Sequence, residues 1–335
     1  MIIGIHDAEK EYMKNKSFPN YALMKISAYH KAKGDIVKWW YWDKKEPLNG
    51  EQIVISGETA KEEYERELTE YNSLFDLIYS SKVFEFTPEN KNLPQHTVKG
   101  GTGYVDIPKN SKLPQEIDDT FPDYTIYPKC DYAIGYLTRG CPNHCTHCVV
   151  PEKEGNIKPY RIWQDIVRKD TNKLILMDNN ILACEYGINQ LESLIDSGYK
   201  IDLNQGMEAR LVTPTVADII AHLKWIKYIR FSCDRIQQIE YIERAAEFLM
   251  ERGIKPYRLF VYILVTKDIE NAEKRVERLK KLKGICIYAQ PEQNPTKGII
   301  PNEEQKEFAQ RYIYGGLFRK ETWAEYCQKR PRSKI

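Results

Sequence analysis

The sequence predicts an α/β protein, a small Rossmann-like α/β domain followed by a partial (β/α)6 barrel. Three observations carry that expectation. From Asp131 to Pro291, strand-like and helix-like segments alternate in six successive units. The strand-like segments are rich in apolar and β-branched residues, as parallel strands covered by helices require. Ahead of them, a shorter stretch beginning with IIGIHD (2–7) shows a looser version of the same alternation. Six units are too few to close an eight-fold barrel, so the array is expected to stay open or partial.

The elements follow in chain order. IIGIHD (2–7) reads as a strand, ALMKISAYHKAKG (22–34) as an amphipathic helix stopped by glycine, and IVKWWYW (36–42) and FDLIYSSKVFEF (75–86) as strands. These define a first domain over 1–95. Residues 96–130, with Gly100, Gly101, Gly103 and several prolines, read as an irregular connector. Its GGTG run could cradle a phosphate through backbone N–H groups, although a glycine turn without ligand is the commoner case. YAIGYLTR (132–139) opens the repeating part as a strand, and 159–170 reads as its helix. Strands then follow at 173–179, 200–205, 228–234, 257–265 and 284–291, with helices at 181–198, 214–225, 239–252 and 269–282. Pro214 stands at a helix start, where its missing N–H costs nothing. Residues 292–335 form a C-terminal closing segment, with a helix at 303–313 and the aromatic residues Tyr312, Tyr314, Phe318 and Trp323 packed on it.

Composition narrows the function. Lys and Arg number 50 against 48 Asp and Glu, so no chain-wide basic field advertises nucleic-acid binding. The basic tail YCQKRPRSKI is read as a solvated terminus. No apolar run reaches membrane-spanning length, and the N-terminus lacks the pattern of a secretory signal. A cytoplasmic protein with no membrane partner is the expectation. Eight cysteines are present, five of them scattered singly as Cys130, Cys184, Cys233, Cys286 and Cys327. That pattern favours isolated core thiols plus one metal site over a disulfide framework.

The other three cysteines stand in RGCPNHCTHCVVPEKEG (139–155), as Cys141, Cys145 and Cys148 with the spacing C-x3-C-x2-C. Gly140 and Pro142 favour a turn that lets the thiols converge. A zinc site would need a fourth ligand, such as His144, His147 or a distant side chain. A cluster held by three thiolates would leave one iron open. The loop directly follows the first strand of the array, on the edge where such sheets bind ligands.

That spacing, after the first strand of a six-fold β/α array, resembles the radical S-adenosylmethionine superfamily. The stretch GYLTRGCPNHCTHCVVPEKEG looks like the subset with an N-terminal cobalamin-binding-like domain, which includes methylthiotransferase-like members. The resemblance covers about 131–291 well and the N-terminal third weakly. It departs at His147, where the family usually has an aromatic residue. The resemblance implies a [4Fe–4S] cluster on the three thiolates, with S-adenosylmethionine on the open iron. It also implies reductive cleavage to methionine and a 5′-deoxyadenosyl radical that abstracts hydrogen from a substrate. A reductant such as flavodoxin or ferredoxin would supply the electron. The substrate class stays open among nucleic acid, peptide and small molecule.

By the same resemblance, other strand ends acquire roles. Asp178 and Asn180, in MDNN (177–180), are candidates for the methionine amino group, although the usual Gly-Gly-Glu form is absent and a polar helix cap would look the same. Gln205, Glu208 and Arg210 could reach a carboxylate, a ribose or substrate, or Glu208 and Arg210 could simply pair. Ser232 and Asp234 resemble ribose-hydroxyl binders, and Asp234 could equally cap the next helix. Gln290 is a candidate near the adenine. No Asp-x-His-x-x-Gly is present, so cobalamin is not expected as a cofactor. Methylthiotransferases carry three further cysteines in the N-terminal domain, where this chain has Cys130 alone, so that reaction is not expected. The competing readings are an iron–sulfur electron-transfer protein and a zinc-stabilised nucleic-acid-binding module.

Overall fold

Apolar runs pair in parallel in both halves of the chain, and the two halves form separate units, Met1–Cys130 and Asp131–Ile335. The structure is a computed structural model that describes residues 1–14, 18–45, 47, 58–294, 297–312 and 321–329.

In the first unit, β1 (Ile2–Asp7), β2 (Ile36–Trp39), β3 (Leu77–Ser81) and β4 (Val98–Gly100) form one parallel sheet in the order β2-β1-β3-β4. Ile3, Ile5 and Ile78 are wholly buried in it. Helix Tyr21–Ala32 starts at Asn20, whose side chain accepts the Leu23 N–H. Helix Ala60–Ser73 starts with a capping box between Thr59 and Glu62. The strand order reverses at β1, which makes the carboxyl ends of β1 and β3 the place where an open α/β sheet takes a ligand. Here those ends are tied to the unit's own side chains. The Tyr127 hydroxyl donates to Asp7 at 2.5 Å, and the Asn20 amide donates to Ser81 at 2.8 Å.

Residues 96–130, expected as an irregular connector, supply both β4 and Tyr127. The glycines of GGTG serve a close backbone contact. Gly103 N–H donates to the Lys82 carbonyl at 2.9 Å. At Gly101, with φ +96°, a Cβ would stand 2.2 Å from that same oxygen. This run wraps the chain after β3, so its amide at Gly103 is not presented to a phosphate.

The second unit contains β5 (Ala133–Gly135), β6 (Thr138–Arg139), β7 (Lys158–Pro159), β8 (Lys173–Leu176), β9 (Lys200–Leu203), β10 (Ile229–Cys233), β11 (Leu259–Val265) and β12 (Cys286–Pro291). Six of these form two three-stranded parallel sheets, β5-β8-β9 and β10-β11-β12. Among the described residues, two isolated parallel bridges, Ile201 to Trp225 and Met207 to Phe231, join the β9 region to the β10 region. Alternate residues Ile229, Phe231, Cys233, Val261, Ile263 and Val265 are buried among helices Pro214–His222, Ile239–Glu251 and Ile269–Lys280. The parallel α/β class is therefore present.

Two expectations are corrected. The segment 132–139 is not one strand but β5 followed by β6, which turns away to pair antiparallel with β7. The segment 159–170 is not a helix, and only the turn Trp163–Asp165 is helical. The N–H groups of Tyr160 and Arg161 both reach the Leu137 carbonyl, at 2.9 and 3.3 Å, which holds that chain extended. Ile166 then packs against the bare backbone of Gly135, where a Cβ would lie 2.4 Å from it. At the C-terminal end, helix Glu303–Arg311 packs on β12, and Phe308, Tyr312 and Trp323 are buried together. Tyr314, Phe318 and the basic residues 330–335 lie outside the described residues. Among the described residues, no helix is long and apolar enough to cross a membrane.

Candidate functional site

The cysteine loop leaves β6 and returns at β7, so an antiparallel two-residue ladder closes its base. Gly140 begins it with φ +87°, and a Cβ there would meet the Asn156 carbonyl at 2.3 Å. Only glycine fits that turn. Cys141 N–H then donates to the Gly155 carbonyl at 3.0 Å. Two buried carboxylates fix the approach. Glu154 accepts from Gly140 N–H at 2.9 Å, from Arg139 at 2.7 Å and from the Asn179 amide at 3.0 Å. Asp178, at the end of β8, accepts from the N–H groups of Leu137 and Thr138 and from the Thr138 hydroxyl. Burial pushes the Asp178 carboxyl up to about 6, against the pull of those donors. Asp178 thus holds the chain that leads into the loop.

Cys141, Cys145 and Cys148 are reduced and half-buried. N–H groups point at two of the sulfurs, Asn143 to Cys141 at 3.5 Å and Val150 to Cys148 at 3.4 Å. Burial, followed by the neighbouring thiols and Asp234, raises the Cys145 pKa. Burial likewise raises that of Cys148, opposed by the Val150 N–H. Three thiols gathered in one half-buried loop are a donor set suited to a soft cationic group. Among the described residues, no three His, Cys, Asp or Glu side chains are already closed around one point. His144 is exposed, and His147 turns to Asp234, with Nε2 at 3.7 Å from Oδ2.

Three strand ends meet this loop. Asn180, past β8, is 4% exposed and donates through Nδ2 to Glu208 at 2.8 Å and to Cys141 Sγ at 3.7 Å. Glu208, past β9, also accepts from the Asn143 amide at 2.9 Å and from Arg210 Nε at 2.7 Å. Burial pushes the Glu208 carboxyl up, but the donors Asn180, Asn143 and Arg210 outweigh it and hold the group below its ordinary value. An ionised carboxylate only accepts, so the Asn180 amide must turn its nitrogen toward Glu208. Its Oδ1 is left buried without a partner. Asp234, past β10, is raised by burial, with His147, Arg275 and Arg235 opposing. Gln238, not Asp234, caps the next turn by accepting the N–H groups of Asp234 and Arg235. Buried Arg275 ties the ends of β10 and β11 by donating to the carbonyls of Cys233 at 2.5 Å and Leu264 at 2.8 Å.

The remaining candidates stand apart. Gln205 is exposed and touches Asn204 at 3.4 Å. Arg210 is 54% exposed and reaches the site only through Glu208. Ser232 lies half-buried on β10, two residues before Asp234, and Gln290 is exposed near the end of β12. Among the scattered cysteines, Cys130 and Cys233 are buried, Cys184 and Cys286 half-buried and Cys327 exposed. Burial pushes the Cys233 thiol up to about 12, as for a core residue. Asn143, Glu154 and Arg275 did not emerge from the sequence. Asn143 lies inside the cysteine motif and could have been found there. Glu154 and Arg275 carry no local signal.

No family model matches the chain. Over 113 residues it is 27% identical to the ribosomal protein uS12 methylthiotransferase RimO of Desulfitobacterium hafniense (strain Y51). That stretch is 34% of this chain and 22% of the relative, so the chain spans about a fifth of the curated relative it matches. The likeness is to an enzyme.

Proposed function

We propose that this chain is a radical S-adenosylmethionine enzyme in which Cys141, Cys145 and Cys148 hold a [4Fe–4S] cluster. The observation that carries the reading is the meeting of three strand ends at a three-thiol loop, with one buried acceptor, Asn180 Oδ1, left unpartnered beside Cys141. The donor set fits such a cluster: three soft thiols in one loop, with N–H groups aimed at two of the sulfurs. Zinc would need a fourth ligand, and the nearest imidazoles are exposed or turned to Asp234. Held by these three residues and reduced, such a cluster would supply the single electron needed to cleave a C–S bond of S-adenosylmethionine to methionine and a 5′-deoxyadenosyl radical.

The chain's own residues prepare the cofactor. Asn180 Oδ1 accepts from the methionine amino group, which satisfies the orphaned oxygen. Glu208 stays ionised and keeps that amide oriented. Ser232 and Asp234 accept from ribose hydroxyls, while Gln205, Arg210 and Gln290 line the outer approach. The two three-stranded parallel sheets, which approach each other at the Ile201–Trp225 and Met207–Phe231 bridges, would serve as the halves of a partial barrel around the cofactor. A flavodoxin- or ferredoxin-type reductant delivers the electron. Such a radical would take a hydrogen atom from a nucleic acid, peptide or small-molecule substrate. Similarity to a methylthiotransferase supports the class of chemistry. Methylthio transfer itself is not included, because the first unit carries Cys130 alone.

The test is anaerobic reconstitution with iron and sulfide, followed by electron paramagnetic resonance of the reduced protein. The reading expects about four iron and four sulfide per chain and a spectrum that changes when S-adenosylmethionine is added. Zinc in place of iron, or a cluster spectrum indifferent to S-adenosylmethionine, would contradict it.

A further inference from the structure

The Asn180 side chain does more than leave one oxygen free. A primary amide has two N–H bonds, and here both are directed: one to Glu208 Oε2 at 2.8 Å, the other to Cys141 Sγ at 3.7 Å. The rotation that would exchange nitrogen and oxygen is closed off, because it would set Oδ1 against a carboxylate held ionised by three donors. Glu208 is in turn held by Asn143, which stands between Cys141 and Cys145 in the loop itself. The ends of β8 and β9 therefore converge, through one carboxylate, on a single sulfur of the trio.

We propose that Asn180 is a positioning residue for Cys141, oriented by Glu208, and that its N–H sets the reduction potential of the cluster that this thiolate ligates. The proposal rests on the cluster reading above. A hydrogen bond donated to a ligating sulfur favours the reduced, more negative state, so its presence raises the potential. Cys148 receives a backbone N–H from Val150, which no side-chain substitution removes. Cys141 receives the backbone N–H of Asn143 and, in addition, the Asn180 side-chain N–H, so part of its electronic environment is open to change by one residue.

The experiment is a redox titration of anaerobically reconstituted full-length protein without S-adenosylmethionine, read by electron paramagnetic resonance, with iron content measured in parallel. Asn180→Leu removes the donor and Asn180→Asp replaces it with a carboxylate oxygen. The expected order of potential is wild type, then Asn180→Leu, then Asn180→Asp. The first step corresponds to roughly a tenfold change in the reduction equilibrium, about 59 mV for one electron. Glu208→Gln frees the amide to turn in wild type but has no amide to free in Asn180→Leu. Its shift therefore differs between the two backgrounds, and the double-mutant cycle is non-additive. Equal potentials at full iron content, or strictly additive shifts, overturn the proposal and leave the cluster reading standing. A wild-type chain that takes up no iron overturns both. Should Asn180→Leu fail to hold iron, the near-isosteric Asn180→Asp and Glu208→Gln still decide the sign of the effect.

Discussion

Both units carry parallel sheets, and both present polar side chains at the carboxyl ends of their strands, yet the two edges are finished differently. In the first unit, Asp7 is held by Tyr127 and the Lys10 N–H, and Asn20 by Ser81 and the Leu23 N–H. Glu9 accepts the N–H groups of Val83 and Phe84, with the Thr87 hydroxyl beside it. In the second unit, Asn180 donates to Cys141, Glu208 accepts from Asn143 and Asp234 faces His147, all within the cysteine loop, and a buried amide oxygen has no protein partner. One edge spends most of these groups on itself, and its unpartnered buried atoms, Glu9 Oε2 and Thr87 Oγ1, lie away from any thiol cluster. The other leaves acceptors and soft ligands together, an arrangement that bare protein has no reason to stabilise.

The largest effect that could break this contrast lies in the loop. Replacing Cys141, Cys145 and Cys148 together with serine should remove nearly all bound iron while far-ultraviolet circular dichroism stays unchanged, since none of the three is a core residue. A triple variant with a full iron load would move the site elsewhere.

A second effect belongs to Asp178, whose role is to hold the loop. Burial pushes its carboxyl up to about 6 in the fold, from an ordinary value of 3.8. The folded chain therefore binds this proton more tightly than the unfolded one. Its stabilising contribution is complete below the unfolded value and is lost as pH rises through about 6. Urea unfolding from pH 4 to 7 should show Asp178→Asn gaining on wild type by roughly 1–3 kcal/mol across that window. A constant difference between the two proteins would remove Asp178 as the cause.

The smallest effect is in the first unit. Tyr127→Phe deletes the donor to buried Asp7 and should cost about 1 kcal/mol of stability, with iron content untouched. Iron loss in this variant would mean that the self-contained edge serves the cluster after all.

What the sequence allowed to be read follows from where signals are local. The three thiols stand out by their C-x3-C-x2-C spacing, and Asn180, Glu208 and Asp234 become candidates because a parallel α/β array makes residues past each strand worth naming whatever their long-range partners. Asp178 was found for the same reason, but its partners, the N–H groups of Leu137 and Thr138, lie 40 or more residues upstream and carry no side-chain signature. Residues 159–170 looked helical because Ile162, Trp163, Ile166 and Val167 fall at helical spacing. That spacing was equally served by an extended stretch and a single turn that brings Ile166 onto Gly135. The break between β5 and β6 was invisible because both pieces are apolar enough to pass as one strand. Glu154 resembled any charged loop residue, and only the fold brings Arg139, Gly140 and Asn179 to it.

The central claim is that the open edge of the second unit binds S-adenosylmethionine at a reducible cluster. It is tested most directly by mixing anaerobically reconstituted protein with S-adenosylmethionine and dithionite and following the nucleoside products by chromatography. The account predicts slow formation of 5′-deoxyadenosine and methionine in equal amounts without added substrate. This should be absent in the triple cysteine variant and weakened by Asn180→Ala and Asp234→Ala, each of which loses one buried polar contact worth roughly 1–3 kcal/mol of binding. Protein with a full cluster that never yields 5′-deoxyadenosine would contradict it and would identify the loop as an electron-transfer centre.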